Sequence, residues 1–268
     1  MIIKSIGRQI RRAFSNSALQ YDALTGLHKE IGRELIEKIY RDMVSAGPAL
    51  KILDVGMGTG YLTKRLKNFF PGALVLGLDF ADGMIACANQ PEDFQIIQAD
   101  ACDLPFKEGC FDLIASNLAY QWVEDLPRAF RRSYRVLKRE GRFSLTVFGY
   151  ETFKELFYAL EQSVDPKSQI EETFFIRRLA ARDQIEAALA QAGFVDIVVD
   201  VERIKVRFPD MIGLIQWTKN IGANRRERNI YIGKEFLGRA NEYYEKYFKD
   251  DFGIYATFEV VWASGKKK

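Results

Sequence analysis

Residues 50–60 read LKILDVGMGTG. An apolar run ends in one carboxylate, Asp54, and then releases three glycines at alternate positions, Gly56, Gly58 and Gly60. Glycine is costly inside an element, so this spacing calls for a tight turn or for something that approaches the backbone closely. The apolar run is a short buried strand, and GYLTKRLKNFF beyond it is an amphipathic helix stopped by Pro71-Gly72. The alternation continues downstream. ALVLGLDF is a strand, DGMIACANQ a short helix, DFQIIQAD a strand, and the loop CDLPFKEG precedes the strand FDLIASNLA. PRAFRRSYRVLK is a helix ended by Gly141, and RFSLTVFG is a fifth strand. Runs this apolar between helices are strands covered on both faces of a parallel sheet. The fold class is therefore α/β, a Rossmann-like, doubly wound, mostly parallel seven-stranded sheet with right-handed crossovers.

Outside this core the periodicity is helical. Helices are expected over 5–16 and over 26–46, where Ile31, Leu35, Ile36 and Ile39 recur on one face before Gly47-Pro48 breaks the chain. Residues 151–178 carry a helix and a polar stretch, RDQIEAALAQAGF a further helix, and VDIVVDVERIKVRF a strand. Residues 209–247 are helical again, GIYATFEVVWA is the last strand, and a solvated GKKK tail closes the chain. The expectation is one domain over 1–268, with an N-terminal helical lid, 1–46, and cap insertions over 151–178 and 209–247.

With 268 residues, 48% of them hydrophobic, the chain is long enough for a full core. Its 39 Lys and Arg against 36 Asp and Glu leave a net charge of +3, too mild to single out nucleic acid as a partner. Basic residues do cluster, at Arg8, Arg11 and Arg12, at Arg131, Arg132, Arg135, Lys138 and Arg139, and at Arg225, Arg226 and Arg228. Cys87, Cys102 and Cys110 have no paired spacing and point to reduced thiols in the cytoplasm. No apolar run reaches the length of a membrane span, and the N-terminus lacks a secretory signal core. The first 21 residues hold four basic groups and no acid, which reads as one face of a helix rather than as a transit segment. The lone histidine, His28, reads as structural, which sets aside a zinc site or a His-based triad; no metal is expected.

In an open parallel sheet, ligands bind beyond the carboxyl ends of the strands, near the switch point. The first such end is D-V-G-M-G-T-G. A dinucleotide site uses G-x-G-x-x-G with the pyrophosphate on a helix N-terminus. Here the spacing is G-x-G-x-G, and Asp54 repels a phosphate while suiting a ligand that carries an ammonium and a sulfonium. The second strand ends at Asp79, a carboxylate placed to accept both hydroxyls of a ribose, with Phe80 and Met84 to cover a purine face. The third ends at QADACDLPF, where Asp100 accepts from an exocyclic amine and the amide of Ala101 or Cys102 donates to a ring nitrogen. The fourth ends at SNLAYQW, which brings Asn117 and Gln121 to the same crevice. Each residue alone has a plainer reading: a glycine turn, a helix cap, a solvated turn. Their order at successive strand ends is specific, and it describes S-adenosyl-L-methionine, with S-adenosyl-L-homocysteine as the product.

LDVGMGTG, LGLDFADGM, ADACDLPF, FDLIASNLAYQW and YRVLKREGRFSL, across residues 50–147, resemble class I S-adenosylmethionine-dependent methyltransferases. The flanks resemble a narrower family, the malonyl-acyl-carrier-protein O-methyltransferases of biotin synthesis. RRAFSNSALQYDALTGLHKEIG is similar to that family's N-terminal segment, whose F-x-x-A-x-x-Y pattern is met here, with one position of looseness, by Phe14, Ala18 and Tyr21. FFIRRLAARDQIEAAL and FPDMIGLIQWTKNIGAN, with its I-G-A-N ending, extend the resemblance through most of the chain.

The resemblance implies methyl transfer to the free carboxylate of a malonyl thioester on acyl-carrier protein. A carboxylate with a pKa of about 4 is already ionised at neutral pH, so no general base is required. In-line positioning in a dry site then supplies roughly 7–11 kcal/mol of the barrier reduction. An arginine should hold the carboxylate; Arg178 is assigned that role, against the competing reading of a solvated charge, and Tyr21 donates from the lid. Carrier protein is acidic, so the clusters at 131–139 and 225–228 are candidate steering patches, with a solvated helix face as the plainer reading. No nucleic acid or membrane partner is expected, and a monomer is favoured. Three other readings stand beside this one. A methyltransferase of a small free acid such as trans-aconitate shares the N-x-x-x-Q-W strand end; a second is a protein that binds the cofactor without methylating; and nucleic-acid methylation would call for an N-P-P-Y motif that SNLAYQW lacks.

Overall fold

The computed structural model describes residues 2–43 (backbone alone through residue 6), 47, 49–88, 94–164, 178–223 and 233–268. Two helices, α1 (Ile2–Leu24) and α2 (Gly26–Met43), lead into β1 (Lys51–Val55), α3 (Tyr61–Phe69), β2 (Leu74–Asp79), α4 (Asp82–Cys87) and β3 (Gln95–Gln98). Then come β4 (Phe111–Asn117), α5 (Leu126–Val136), β5 (Leu137–Phe148), α6 (Lys154–Gln162), α7 (Arg182–Ala192) and β6 (Val195–Phe208). The chain ends with α8 (Met211–Asn220), α9 (Lys234–Tyr247), β7 (Lys249–Asp250) and β8 (Gly253–Lys266). The sheet order is β3-β2-β1-β4-β5-β8-β6, with the two-residue β7 added on β8 as an eighth strand beyond the seven expected. β1 to β5 pair in parallel, and β8 runs antiparallel between β5 and β6. Strand order reverses between β1 and β4, which opens the crevice above their carboxyl ends.

Apolar residues cover both faces of the sheet, as runs without alternation require. Ile52, Val75, Leu113 and Phe258 pack against α2, α3, α6, α8 and α9 through Ile36, Leu66, Leu160, Leu214 and Tyr244. Leu53, Leu78, Ile114 and Leu145 pack on the opposite face against α5 and α7 through Phe130 and Leu189. A smaller cluster joins Ile10, Phe14 and Ala18 of α1, one helical turn apart, to Ala81 and Met84. This stripe explains why α1 runs from Ile2 to Leu24 rather than over 5–16. At its contact with α4 the backbones nearly touch: a Cβ on Gly83 would lie 2.4 Å from the Ser15 carbonyl oxygen.

The region after α5 departs from the expected helix, which ends at Val136 instead of running on toward Gly141. Phe111 pairs with Leu137 but Leu113 with Arg142, so residues 138–141 bulge out of β5, with Glu140 at φ 65°. The C-terminal lysines close this bulge and are not a solvated tail. Lys266 pairs with Glu140, and Lys267 Nζ donates to the carbonyls of Arg135 (3.2 Å) and Leu137 (2.9 Å).

β6 and β8 continue together past the end of β5, from Glu202↔Val260 to Phe208↔Ile254. This two-stranded ribbon has α6, α8 and α9 packed around it. The polar stretch before Arg178, and Asn224, Arg225, Arg226 and Arg228, lie outside the described residues. Among the described residues, no helix is long and apolar enough to cross a membrane.

Candidate active site

The glycine turn after β1 is held open by its backbone. Gly56, Gly58 and Gly60 all take positive φ, at 77°, 55° and 88°. A Cβ on Gly56 would stand 2.1 Å from that of Ala119, so the turn is pressed against the loop after β4. At Gly58 the same construction meets nothing within 4 Å, which leaves open space over the backbone. Asp54, just before the turn, is fully buried. One of its oxygens, Oδ2, accepts from Thr63 Oγ1 at 2.6 Å, while Oδ1 is buried with no partner. Burial pushes this carboxyl up to about 7, against the lowering effect of the Thr63 bond. An unpartnered buried carboxylate oxygen is expensive unless a cation or donor meets it.

Asp79, at the end of β2, uses its side chain to shape the turn from the other side. Its Oδ2 accepts from the Gly58 amide and its Oδ1 from the Ala81 amide, both at 2.8 Å. Burial raises its pKa. Each oxygen retains a second lone pair for a further donor. Tyr21, near the C-terminal end of α1, has its phenol pKa raised by burial first and by the charges of Asp79 and Asp22 second, so it stays protonated at neutral pH.

Residues that sequence reasoning did not single out bind α1 to this crevice. Asp22 Oδ1 accepts from Thr59 Oγ1 at 2.7 Å, inside the glycine turn itself. Asp82 accepts from Arg11 Nε (3.2 Å) and Ser15 Oγ (3.0 Å), and Ser15 Oγ accepts from the Gly83 amide. The available signals were local: Asp22 adjoins Tyr21, and Thr63 falls on the inner face of the helix that follows the turn.

At the third strand end, Asp100 is exposed and caps its own turn by accepting from the Cys102 amide at 2.7 Å. The Cys102 amide is thereby engaged within the turn. Partial burial and Asp100 push the Cys102 thiol up to about 11, so it is no nucleophile at neutral pH. Phe80 is partly buried, whereas Met84 is 2% exposed and packed beneath α1. Asn117 donates to the His28 carbonyl at 2.9 Å and accepts from Thr146 Oγ1 at 2.8 Å. Gln121 Oε1 accepts from the Phe148 amide at 3.0 Å. Both amides thus tie the ends of β4 and β5 together and to α2.

Arg178 lies on the cap. Its guanidinium donates to Glu161 at 2.8 Å and stands 4.2 Å from the Phe157 ring centroid. The basic group at 131–139 is mostly committed to the fold: Arg135 donates to the carbonyls of Leu104 and Phe106, Lys138 to Asp112, and Arg132 lies 3.7 Å from Asp103. Arg131 and Arg139 are exposed.

The chain is similar to known proteins in domain, fold and sequence. Residues 53–145 match the family model described as a methyltransferase domain. The fold is similar to that of the YcgJ protein of Bacillus subtilis, with a TM-score of 0.62 at 17% identity over 88% of this chain and 99% of that one. It is also similar to Haemonchus contortus phosphoethanolamine N-methyltransferase 2 in complex with S-adenosyl-L-methionine, with a TM-score of 0.52 at 21% identity over 88% of this chain and 53% of that one. The malonyl-[acyl-carrier protein] O-methyltransferase of Geobacter sulfurreducens is 34% identical over 271 residues, 97% of this chain and 98% of its own length. That similarity spans nearly the whole of both chains, and with it the chain belongs to the malonyl-[acyl-carrier protein] O-methyltransferase family.

Proposed function

We propose that this chain uses S-adenosyl-L-methionine to methylate the free carboxylate of a malonyl thioester carried on acyl-carrier protein, an early step of biotin synthesis. The observation that carries this reading is the near-full-length similarity to enzymes of that name, which extends beyond the domain common to many methyltransferases. The residues of the crevice fit such a donor: a buried carboxylate oxygen without a partner lies beside a glycine turn with open space over Gly58.

In this reading Asp54 Oδ1 accepts the donor's ammonium, and Gly56, Gly58 and Gly60 let its tail lie against the backbone. Asp79 takes the ribose hydroxyls, Phe80 flanks the adenine, and Asp100 with the Ala101 amide holds the adenine edge. Met84, Cys102, Asn117 and Gln121 shape the pocket from behind. Bound there, S-adenosyl-L-methionine supplies an electrophilic methyl group on a sulfonium. The chain's own contribution is position and dryness: α1 closes over the turn, and the ribbon with α8 walls off water. A carboxylate acceptor needs no base, in keeping with a site whose thiol and phenol stay protonated at neutral pH. Tyr21 donates from the lid. Arg178 reaches a substrate carboxylate only by exchanging Glu161, and within the 131–139 group the exposed Arg131 and Arg139 are the steering charges left for an acidic carrier. The three free thiols favour a cytoplasmic setting.

The N-x-x-x-Q-W strand end keeps a second reading, a free-acid methyltransferase, in view. Methyl transfer from labelled donor separates the two. Malonyl-carrier protein should exceed malonate and trans-aconitate in kcat/KM; a better free acid would sink the carrier reading. Donor binding with no methylated product from any of them would leave a binding protein.

A further inference from the structure

The crevice contains a second unpartnered buried polar atom, and donor binding gives it no role. His28, in the first turn of α2, is 8% exposed, and its Nδ1 is buried without a hydrogen-bond partner. The imidazole is walled by the rings of Tyr21, Phe148 and Trp217, with centroids 6.1, 5.4 and 6.1 Å away. Its own carbonyl is bound by Asn117 at the end of β4, and Phe148 ends β5. The ring therefore stands by the carboxyl ends of β4 and β5, on the β4 side of β1. Trp217 offers it no partner, because its indole nitrogen donates to the Leu24 carbonyl at 3.0 Å. Tyr21 meets the imidazole edge to face, with the ring planes at 74°. A buried nitrogen left bare among aromatic rings is costly, and a ligand atom that meets it removes the cost.

We propose that His28 is the acceptor-side hydrogen-bond donor of this site, giving Nδ1–H to the oxygen of the substrate carboxylate that is not methylated. The inference rests on the carboxyl methyltransferase reading. Charge favours His28 over an arginine clamp for this task. A guanidinium paired with the reacting carboxylate neutralises the anion that must attack, whereas one neutral N–H orients it and leaves its charge on the other oxygen. Burial lowers the imidazole pKa to about 4, so the ring is neutral when the substrate carboxylate is ionised. Arg178, by contrast, is already satisfied by Glu161 and stacked on Phe157.

Two variants test this, assayed with labelled S-adenosylmethionine and malonyl-acyl-carrier protein, alongside calorimetric binding of S-adenosylhomocysteine. His28→Phe keeps an aromatic ring and removes the donor. It should lower kcat/KM for the acceptor about 10- to 100-fold, the usual value of one hydrogen bond to a charged group, and leave S-adenosylhomocysteine binding unchanged. His28→Asn, whose amide nitrogen falls near the position of Nδ1, should recover most of that loss. Wild-type kcat/KM in His28→Phe overturns the inference. So does parallel loss of S-adenosylhomocysteine binding, which marks a packing or donor-side role, or a folded His28→Asn no better than His28→Phe. If the wild-type protein itself does not methylate malonyl-carrier protein, the underlying reading fails, and the role of His28 fails with it.

Discussion

Asp54 is a fully buried carboxyl with one oxygen left unpartnered. Its carboxyl is raised by burial from 3.8 to about 7. A carboxyl whose folded pKa is raised stabilises the fold fully below its unfolded value, and that contribution is lost as pH rises through the folded value. His28 has the opposite sign: lowered from 6.5 to about 4, it stabilises above its unfolded value and loses that contribution as pH falls toward 4. The stability of the wild type mixes the two, so a difference between proteins is the clean readout. In urea unfolding of the free protein, Asp54→Asn should gain on wild type as pH climbs from 3.8 to about 7, and a flat difference would argue against a strained carboxylate. Above that range the same substitution should weaken S-adenosylmethionine binding about 10- to 100-fold by calorimetry, since a charged hydrogen bond is lost. Asp54 and Asp79 were legible because a carboxylate at the end of an apolar strand is visible in one dimension. Asn117 and Gln121 were placed at the crevice by the same logic, but which groups their amides bind was not visible, because Thr146, His28 and Phe148 lie elsewhere in the chain.

At the scale of elements, α1 matters most. It is joined to the crevice by the Asp22–Thr59 bond, by Arg11 and Ser15 on Asp82, and by the near contact at Gly83. Gly83→Ala forces a methyl into the Ser15 backbone, an overpacking that costs about 1–3 kcal/mol. Hydrogen exchange across α1 should accelerate while the sheet keeps its protection, and S-adenosylhomocysteine affinity should fall. An unchanged α1 would mean that it is not held through α4. The loop before β4 depends in turn on Arg135, whose guanidinium reaches two of its carbonyls. Arg135→Met should cost about 1–3 kcal/mol in urea unfolding, through the stranded carbonyls, with little change in donor binding. The helix stripe of α1 was only partly legible, since the spacing of Ile10, Phe14 and Ala18 continues past the break expected at residue 16. The bulge at 138–141 was not legible: Leu137 and Lys138 continue the helical pattern, and only the strand partners of β4 draw them into the sheet.

For the whole molecule, donor binding should act as a clamp that joins lid to sheet. A ligand at 100 times its Kd adds about 2.7 kcal/mol to stability, and in a chain of this size that raises Tm by about 5–10 °C. S-adenosylhomocysteine should produce that shift, with new exchange protection centred on α1 and the turn at 54–60 and none along the edge strand β6. Protection spread evenly over the sheet would contradict a local clamp. The sheet, the glycine turn and the carboxylates at the strand ends were readable from the order of residues alone. Apolar runs, glycine turns and strand-end carboxylates act within a few residues of one another, so their order along the chain carries the information. Which polar atoms remain to meet a ligand depends on how distant segments pack together. Hydrogen bonds are satisfied across the fold: Asn117, Gln121 and Arg178 are taken up by partners from other segments, while Asp54 Oδ1 and His28 Nδ1 are left bare.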